Sequence, residues 1–127
     1  MSDFFVPEGR LAEHKIQSRQ EPGLTLRLDN VPKLLGALRE EWCPRALIVT
    51  FKLETDASLL AAKADASLQA YRQDVVVCNL LSSHRSHVML RFADGRPPFD
   101  VHLSPVAECI ETQFVPAIVA LHSSKLE

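Results

Sequence analysis

Two short runs of apolar residues, many of them β-branched, constrain the fold of this chain more than any other feature. They cover residues 46–51 (ALIVTF) and 75–78 (VVVC), and neither alternates with polar residues as a strand with one solvated face would. Runs of this kind are typical of strands that helices cover on both faces. Between them, apolar residues from Leu60 to Tyr71 recur at helical spacing. The pattern predicts two parallel strands joined by a helix.

The rest of the chain adds further strands and two helices. Residues 24–28 alternate as a half-buried strand does, and Asn30 with Pro32 can begin a helix that ends at Pro44. Residues 87–92 and 99–103 read as two strands, and a last helix is expected after Ser104. The order predicts a three-layer α/β domain with a mostly parallel sheet and antiparallel strands at one edge.

Charge and cysteine usage exclude several classes of protein. The 127 residues carry 14 Lys and Arg against 16 Asp and Glu, a formal net charge of −2. No positive field therefore draws the chain to nucleic acid or to an anionic membrane. No apolar run approaches the ~20 residues that span a bilayer, and three scattered cysteines make no disulfide framework. We expect one cytoplasmic domain over residues 1–127, with residues 1–23 as a loop or flap.

Few residues have the spacing of a familiar chemical site. The four glycines are isolated, so no phosphate loop occurs, and the pair His84 and His87 with Cys78 is too sparse to predict a metal site. Residues 52–56 remain candidates for a ligand-binding site, because ligands of parallel sheets bind beyond the carboxyl ends of strands. Lys15 also remains a candidate for phosphate binding, since a loop lysine can reach a phosphate. Each has a structural alternative: Asp56 as a helix cap, and Lys15 as an ordinary loop lysine.

Five segments, in this order and spacing, give the chain a family resemblance: SDFFVP (2–7), EHKIQS (13–18), VPKLL (31–35), FKLETD (51–56) and VVVCN (75–79). Together they resemble the C-terminal portion of eukaryotic phosphopantothenate–cysteine ligases, also called phosphopantothenoylcysteine synthetases. The resemblance implies a partial Rossmann-like domain. It also implies amide formation between phosphopantothenate and cysteine in coenzyme A biosynthesis, through an acyl-nucleotidylate made from ATP or CTP with Mg²⁺.

The resemblance further implies site residues. Lys15 matches a lysine of a mobile loop that is expected to hold the phosphates and support acyl transfer, so it is the implied catalytic residue. Phe51 matches an aromatic residue near the nucleobase. The implied nucleotide-binding residues are Asp3, Lys15, Asp29, Asn30, Val31, Pro32, Phe51 and Lys63.

Two departures from the family pattern keep the activity open. The helix after Glu54 and Thr55 retains only Lys63 where the family is more basic, and family members are much longer than this chain. We therefore expect the chain to be inactive alone, as a ligase portion that acts as a homodimer or is completed by another chain. The alternative is a non-catalytic relic of the domain that binds nucleotide or mediates dimerisation. A folded domain without a ligand is a third possibility.

Overall fold

The computed structural model describes residues 3–14 and 25–126, and the chain forms two compact units, Met1–Leu34 and Leu35–Glu127. In the first unit, strand β1 (Phe4–Phe5) pairs antiparallel with β2 (Asp29–Asn30), and a turn of 3-10 helix covers Glu8–Arg10. The predicted flap region thus contains a short strand and a helical turn.

Two predictions in this region are wrong. Residues 25–28 have no regular structure, although a strand was expected over 24–28. Leu26 and Leu28 are 58% and 45% exposed, so no apolar layer among residues 3–14 and 25–126 buries their alternating side chains and stabilises a strand. Asn30 lies in β2 and does not cap a helix, because the helix begins only at Leu35.

Over residues 35–126 the second unit contains four strands and four helical segments. Helix α1 (Leu35–Ala37) continues directly into a π-helical segment, Leu38–Trp42. The remaining elements are β3 (Val49–Glu54), α2 (Ala57–Tyr71), β4 (Val75–Leu80), β5 (His87–Phe92), β6 (Phe99–His102) and α3 (Glu111–Leu126). Helix α3 begins seven residues later than Ser104, where a start was expected, and Val106 in the intervening loop is 93% exposed. No helix among the described residues is long and apolar enough to cross a membrane.

The four strands form one sheet in the order β3-β4-β5-β6. Strands β3 and β4 are parallel, in register from Val49 with Val75 to Glu54 with Leu80, and α2 connects them. Strands β5 and β6 are added antiparallel at one edge. The α/β class and the antiparallel edge strands are confirmed, and the parallel part of the described sheet is the pair β3 and β4.

Helices cover both faces of β4, which confirms the three layers. Val75 and Val77 point toward α3, where Phe114 of the helix and Ile110 just before it belong to the same core cluster. The alternate residues Val76 and Cys78 pack against Leu60 and Ala64 of α2 in a second cluster. All four residues from Val75 to Cys78 are at most 1% exposed, as the continuous apolar run predicts.

Strand β3 is covered less completely than its sequence predicts. Phe51 is 70% exposed and Leu53 is 54% exposed, although both are apolar strand residues. They share a sheet face with Val49, which packs against the α3 cluster, so α3 covers the beginning of this face and leaves its carboxyl end open.

One aspartate ties the opposite end of the sheet together. Asp74 accepts hydrogen bonds from the Lys125 Nζ at 2.7 Å, from the Ile48 backbone N–H at 2.8 Å and from the Arg39 guanidinium. Partial burial alone would raise the pKa of Asp74, but these three donors outweigh it and hold the pKa below its ordinary value. Asp74 therefore joins the π-helical segment, the start of β3 and the last turn of α3.

Candidate functional site

The first unit brings together residues that are far apart in the sequence. Phe4 pairs with Asn30 and Phe5 with Asp29, and the Val31 N–H donates to the Asp3 carbonyl at 2.9 Å. Asp3 and Asn30 are exposed and Val31 is half-buried. Because the ladder spans 26 residues of chain, no periodicity could have predicted it; only the family resemblance grouped these positions.

One polar side chain of this ladder, that of Asp29, already forms an ion pair. The Arg10 guanidinium lies 3.1 Å from the Asp29 carboxylate, and both side chains are about half exposed. Pro32 is exposed and follows the ladder directly. The predicted catalytic residue Lys15 lies outside the described residues.

The carboxyl end of β3 carries a cluster of three charges. Lys52 and Glu54 are two residues apart and therefore point to the same face of the sheet. The Glu54 carboxylate lies 3.3 Å from the Lys52 Nζ and accepts a hydrogen bond from the Lys63 Nζ of α2 at 2.8 Å. These contacts, that of Lys63 first and that of Lys52 after it, keep the pKa of Glu54 below its ordinary value against the opposing effect of burial. The cluster has a net charge of +1, which suits a phosphate.

Asp56 caps helix α2, which is the structural alternative to a ligand-binding role. Its carboxylate accepts hydrogen bonds from the Ser58 hydroxyl at 2.7 Å and from the Ser58 N–H at 2.9 Å, as the N-cap of α2. The hydroxyl first, and then the backbone N–H, lower the pKa of Asp56. Since this carboxylate occupies the helix N-terminus, Lys52 and Lys63 are the groups here that can attract an anion.

Phe51 and Lys63 lie on opposite faces of the sheet. Phe51 shares the α3 face with Leu53, whereas Lys63 contacts Glu54 on the α2 face. A ligand that touches both side chains must therefore extend around the carboxyl edge of β3.

The acidic residue of α2 forms an ion pair that no sequence pattern indicates. Asp65 of α2 accepts two hydrogen bonds from the Arg91 guanidinium of β5, at 2.6 and 2.7 Å. The acidic residue that interrupts the basic helix thus has a defined partner on β5, on the sheet face that α2 covers. The two residues are 26 positions apart, and no local pattern signals such a pair.

The histidines and Cys78 offer no metal chemistry in the described part of the chain. His87 Nε2 lies 2.9 Å from the Asp100 carboxylate, and its ring stacks on that of His102 with centroids 4.3 Å apart. Cys78 is buried, and desolvation raises the pKa of its thiol to about 11, as expected for a small hydrophobic residue. No three His, Cys, Asp or Glu side chains among residues 3–14 and 25–126 could hold a metal ion. These residues therefore form no magnesium site made of protein ligands alone.

Comparison with known families and curated proteins gives consistent matches. Residues 1–93 match the family described as the DNA/pantothenate metabolism flavoprotein C-terminal domain. Phosphopantothenate–cysteine ligase 2 of Oryza sativa subsp. japonica is 39% identical over 99% of the chain, and phosphopantothenate–cysteine ligase of Homo sapiens is 44% identical over 75%. The chain spans 38% of the length of the rice protein and 30% of the human one.

Solved structures agree with the observed fold. A Cab2 variant in complex with phosphopantothenate-cysteine superposes with a TM-score of 0.88 and 39% identity, over 98% of this chain and 42% of that chain. A DNA/pantothenate metabolism flavoprotein from Streptococcus pneumoniae has a TM-score of 0.62 over 83% of this chain and 45% of that one. At 23% identity, the second likeness supports the fold alone.

Proposed function

Because this chain belongs to the DNA/pantothenate metabolism flavoprotein family, we propose that it is the C-terminal portion of a phosphopantothenate–cysteine ligase of coenzyme A biosynthesis. The likeness to the Cab2 variant bound to phosphopantothenate-cysteine, over 98% of the chain, carries this proposal. In the proposed reaction a nucleoside triphosphate, ATP or CTP, activates the phosphopantothenate carboxylate as an acyl-nucleotidylate and releases pyrophosphate. The cysteine amine then displaces the nucleotide.

The proposed contribution of this chain is charge neutralisation around the phosphates. Lys15 is the catalytic candidate, because the flexible side chain of a lysine can keep its ammonium group next to a phosphate while negative charge develops there. Lys63, with Lys52 beside it, supplies positive charge at the carboxyl end of β3, and the Glu54 carboxylate, paired with both ammonium groups, offsets part of that charge. Mg²⁺, when bound, would shield the triphosphate and is usually held mainly by phosphates and water.

The other nucleotide-binding candidates belong to both units, Phe51 to the second and the remaining ones to the first. Phe51 offers an exposed aromatic face near the base. The β1–β2 ladder and the residues next to it offer backbone and side-chain groups. These residues are Asp3, Asp29, Asn30, Val31 and Pro32.

We propose that the chain is inactive alone and acts as a homodimer or together with the rest of the ligase fold. This rests on length, since the chain covers 42% of the Cab2 structure and 38% of the rice ligase.

The test is reconstitution. The chain is assayed for pyrophosphate release with phosphopantothenate, cysteine and ATP or CTP, alone and co-expressed with the part of Cab2 outside the matched region. We expect release only with both polypeptides, and a loss of at least 100-fold for Lys15→Ala. Arg45→Ala, an exposed cation outside the proposed site, is the charge-matched control. Release by the chain alone would refute its inactivity, and no release in any combination would refute the ligase proposal.

A second candidate function is a non-catalytic nucleotide-binding or dimerisation relic. The pairing of Asp65 with Arg91 favours it, because an acidic residue here lowers the positive charge of α2. A relic of this kind would bind ATP or self-associate without releasing pyrophosphate in any combination. Titration calorimetry beside the pyrophosphate assay distinguishes the two functions.

A further inference from the structure

A surface cavity of about 490 Å³ lies between the second half of α2 and the turn that follows β5. A smaller cavity of about 330 Å³ adjoins it, because Asp65, Phe92 and Gly95 line both. We call the two together the α2–turn cavity. Pockets for small molecules have volumes of roughly 300–1,000 Å³, so the α2–turn cavity is large enough for a ligand of that kind.

The α2–turn cavity lies at the opposite end of the sheet from the candidate nucleotide site. Phe92, in its lining, pairs with Val75, the first residue of β4. Glu54, in the charged cluster at the end of β3, pairs with Leu80, the last residue of β4. A strand rises about 3.3 Å per residue, so roughly 16 Å of strand separates the two ends. A ligand in the α2–turn cavity would therefore occupy a site of its own.

Arg72 lines this cavity from the C-cap of α2, where its backbone is left-handed with a φ of 54°. Glycine is the usual residue at such a position, because a Cβ makes the conformation unfavourable. The Arg72 carbonyl accepts a hydrogen bond from the Arg39 Nε at 2.8 Å, but any residue would supply that carbonyl. The exposed Arg72 guanidinium has no hydrogen-bond or ion-pair partner among residues 3–14 and 25–126. It is therefore available to a ligand.

The acidic groups in and beside the cavity are already paired. The Asp65 carboxylate accepts two hydrogen bonds from Arg91, and the Asp94 carboxylate accepts one from the Arg96 Nε at 2.8 Å. With Arg72, these five side chains have a net charge of +1. A cation would have to displace an arginine from its carboxylate, whereas an anion can bind the guanidinium of Arg72 directly.

One part of the cavity suits a flat ring. The Arg96 guanidinium lies over the Phe92 ring, 5.0 Å from its centroid. Pro97 and Pro98 line the adjoining part, and Leu68 of α2 adds another apolar side chain. Aromatic rings and planar guanidinium groups both stack on other flat rings. The cavity thus combines a stacking surface with a guanidinium that can bind an anion.

We propose that the α2–turn cavity is an additional ligand site, which binds an aromatic phosphate of the nucleoside monophosphate class. The base would stack against Phe92 and Arg96, and the phosphate would accept two parallel hydrogen bonds from the Arg72 guanidinium. Gln69, which lines the cavity three residues before Arg72, can donate its side-chain amide to the same phosphate. This site uses no residue of the proposed active site, so its existence does not depend on the ligase reaction.

The experiment is a calorimetric titration of the chain with AMP, adenosine and inorganic phosphate. We expect AMP to bind about tenfold more tightly than either part, because only AMP makes both contacts. Arg72→Gly removes the guanidinium and suits the left-handed backbone, so the variant should fold like the wild type in circular dichroism. It should bind AMP about tenfold more weakly, through loss of the bidentate pair. Arg85→Ala removes an exposed cation of the β4–β5 loop, at the other end of the sheet. This control should bind AMP within about twofold of the wild type, because a distant exposed charge is screened.

Backbone amide resonances locate the bound AMP. We expect chemical shift changes at Gln69, Ala93 and Gly95. Changes confined to residues 51–54 would overturn the inference, because AMP would then occupy the proposed active site. So would equal affinity of Arg72→Gly and the wild type, binding of phosphate or adenosine as tight as that of AMP, or no binding of AMP.

Pyrophosphate release tests the proposed function separately. If AMP binds in the α2–turn cavity but no combination of polypeptides releases pyrophosphate, the additional site stands and the ligase proposal fails. If pyrophosphate is released and AMP does not bind in this cavity, the ligase proposal stands and the additional site is refuted.

Discussion

Asp74, which joins three elements of the second unit, allows a direct test of how much its hydrogen bonds stabilise that unit. In Asp74→Asn the side chain keeps its shape but loses its charge, and one of its two terminal atoms becomes a donor facing a cation. The hydrogen bonds from Lys125 and Arg39 are both affected, while the bond from the Ile48 N–H at 2.8 Å can survive. A hydrogen bond to a charged group contributes about 1.5–3 kcal/mol.

The expected loss in the free energy of unfolding is smaller than the summed contribution of two such hydrogen bonds. The Asp74 side chain is 21% exposed and that of Lys125 is 37% exposed, so water screens part of the interaction. We expect a loss of about 2 kcal/mol in the free energy of unfolding. For the unit Leu35–Glu127 this corresponds to a decrease in Tm of roughly 10 °C.

Urea denaturation followed by circular dichroism measures this loss, with the m-value as a check on two-state behaviour. Because the pKa of Asp74 is lowered in the folded chain, its stabilisation is present above the unfolded pKa and is lost as pH falls through the folded pKa. The difference between wild type and Asp74→Asn should therefore be full at pH 7 and shrink below about pH 4. Asp94→Asn removes an exposed local pair and serves as control. A loss no larger than that of the control, or one independent of pH, would refute the reasoning.

Three further outcomes are expected. Glu54→Gln should release Lys63 for the phosphates and raise the ATP affinity of the assembled ligase several-fold in titration calorimetry; weaker binding would mean that the carboxylate positions the lysine. Cys78 should resist a thiol reagent at pH 8 while the two exposed cysteines react, and labelling of all three in the folded chain would contradict its burial. Leu90→Ala removes a fully buried side chain and should cost about 2–5 kcal/mol in urea denaturation, and a cost below 1 kcal/mol would contradict the packing of the α3 face.

Sequence periodicity predicted the elements that contribute buried side chains to the two core clusters. Strand β5 matches its predicted range, and β4 and α2 lie where continuous apolar character and helical spacing indicated. Predictions failed where the apolar side chains of a pattern stay exposed among the described residues. The alternation over residues 24–28 looks the same whether or not a core faces it, and the exposure of Phe51 depends on how far α3 extends over the sheet.

The candidate site shows the same division. The polar end of β3 could be predicted from the strand pattern, because ligands of parallel sheets bind at carboxyl ends. The β1–β2 ladder and the contact of Lys63 with Glu54 depend on chain separations that periodicity does not encode. The family resemblance grouped Asp3 with residues 29–32 as nucleotide-binding positions, but it predicted neither the strand pairing nor the contact of Lys63 with Glu54. The assignments of Lys15 and of the other nucleotide-binding residues stay predictions.

The pairing of Asp65 with Arg91 also restricts how this chain can change. A single Asp65→Lys substitution would make α2 more basic, but it would set an ammonium group against the Arg91 guanidinium at a site that now holds hydrogen bonds of 2.6 and 2.7 Å. Replacing Arg91 first would leave the Asp65 carboxylate without its partner. Restoring the basic helix therefore requires two coordinated substitutions, each unfavourable alone, so the acidic residue on α2 is expected to persist through neutral drift.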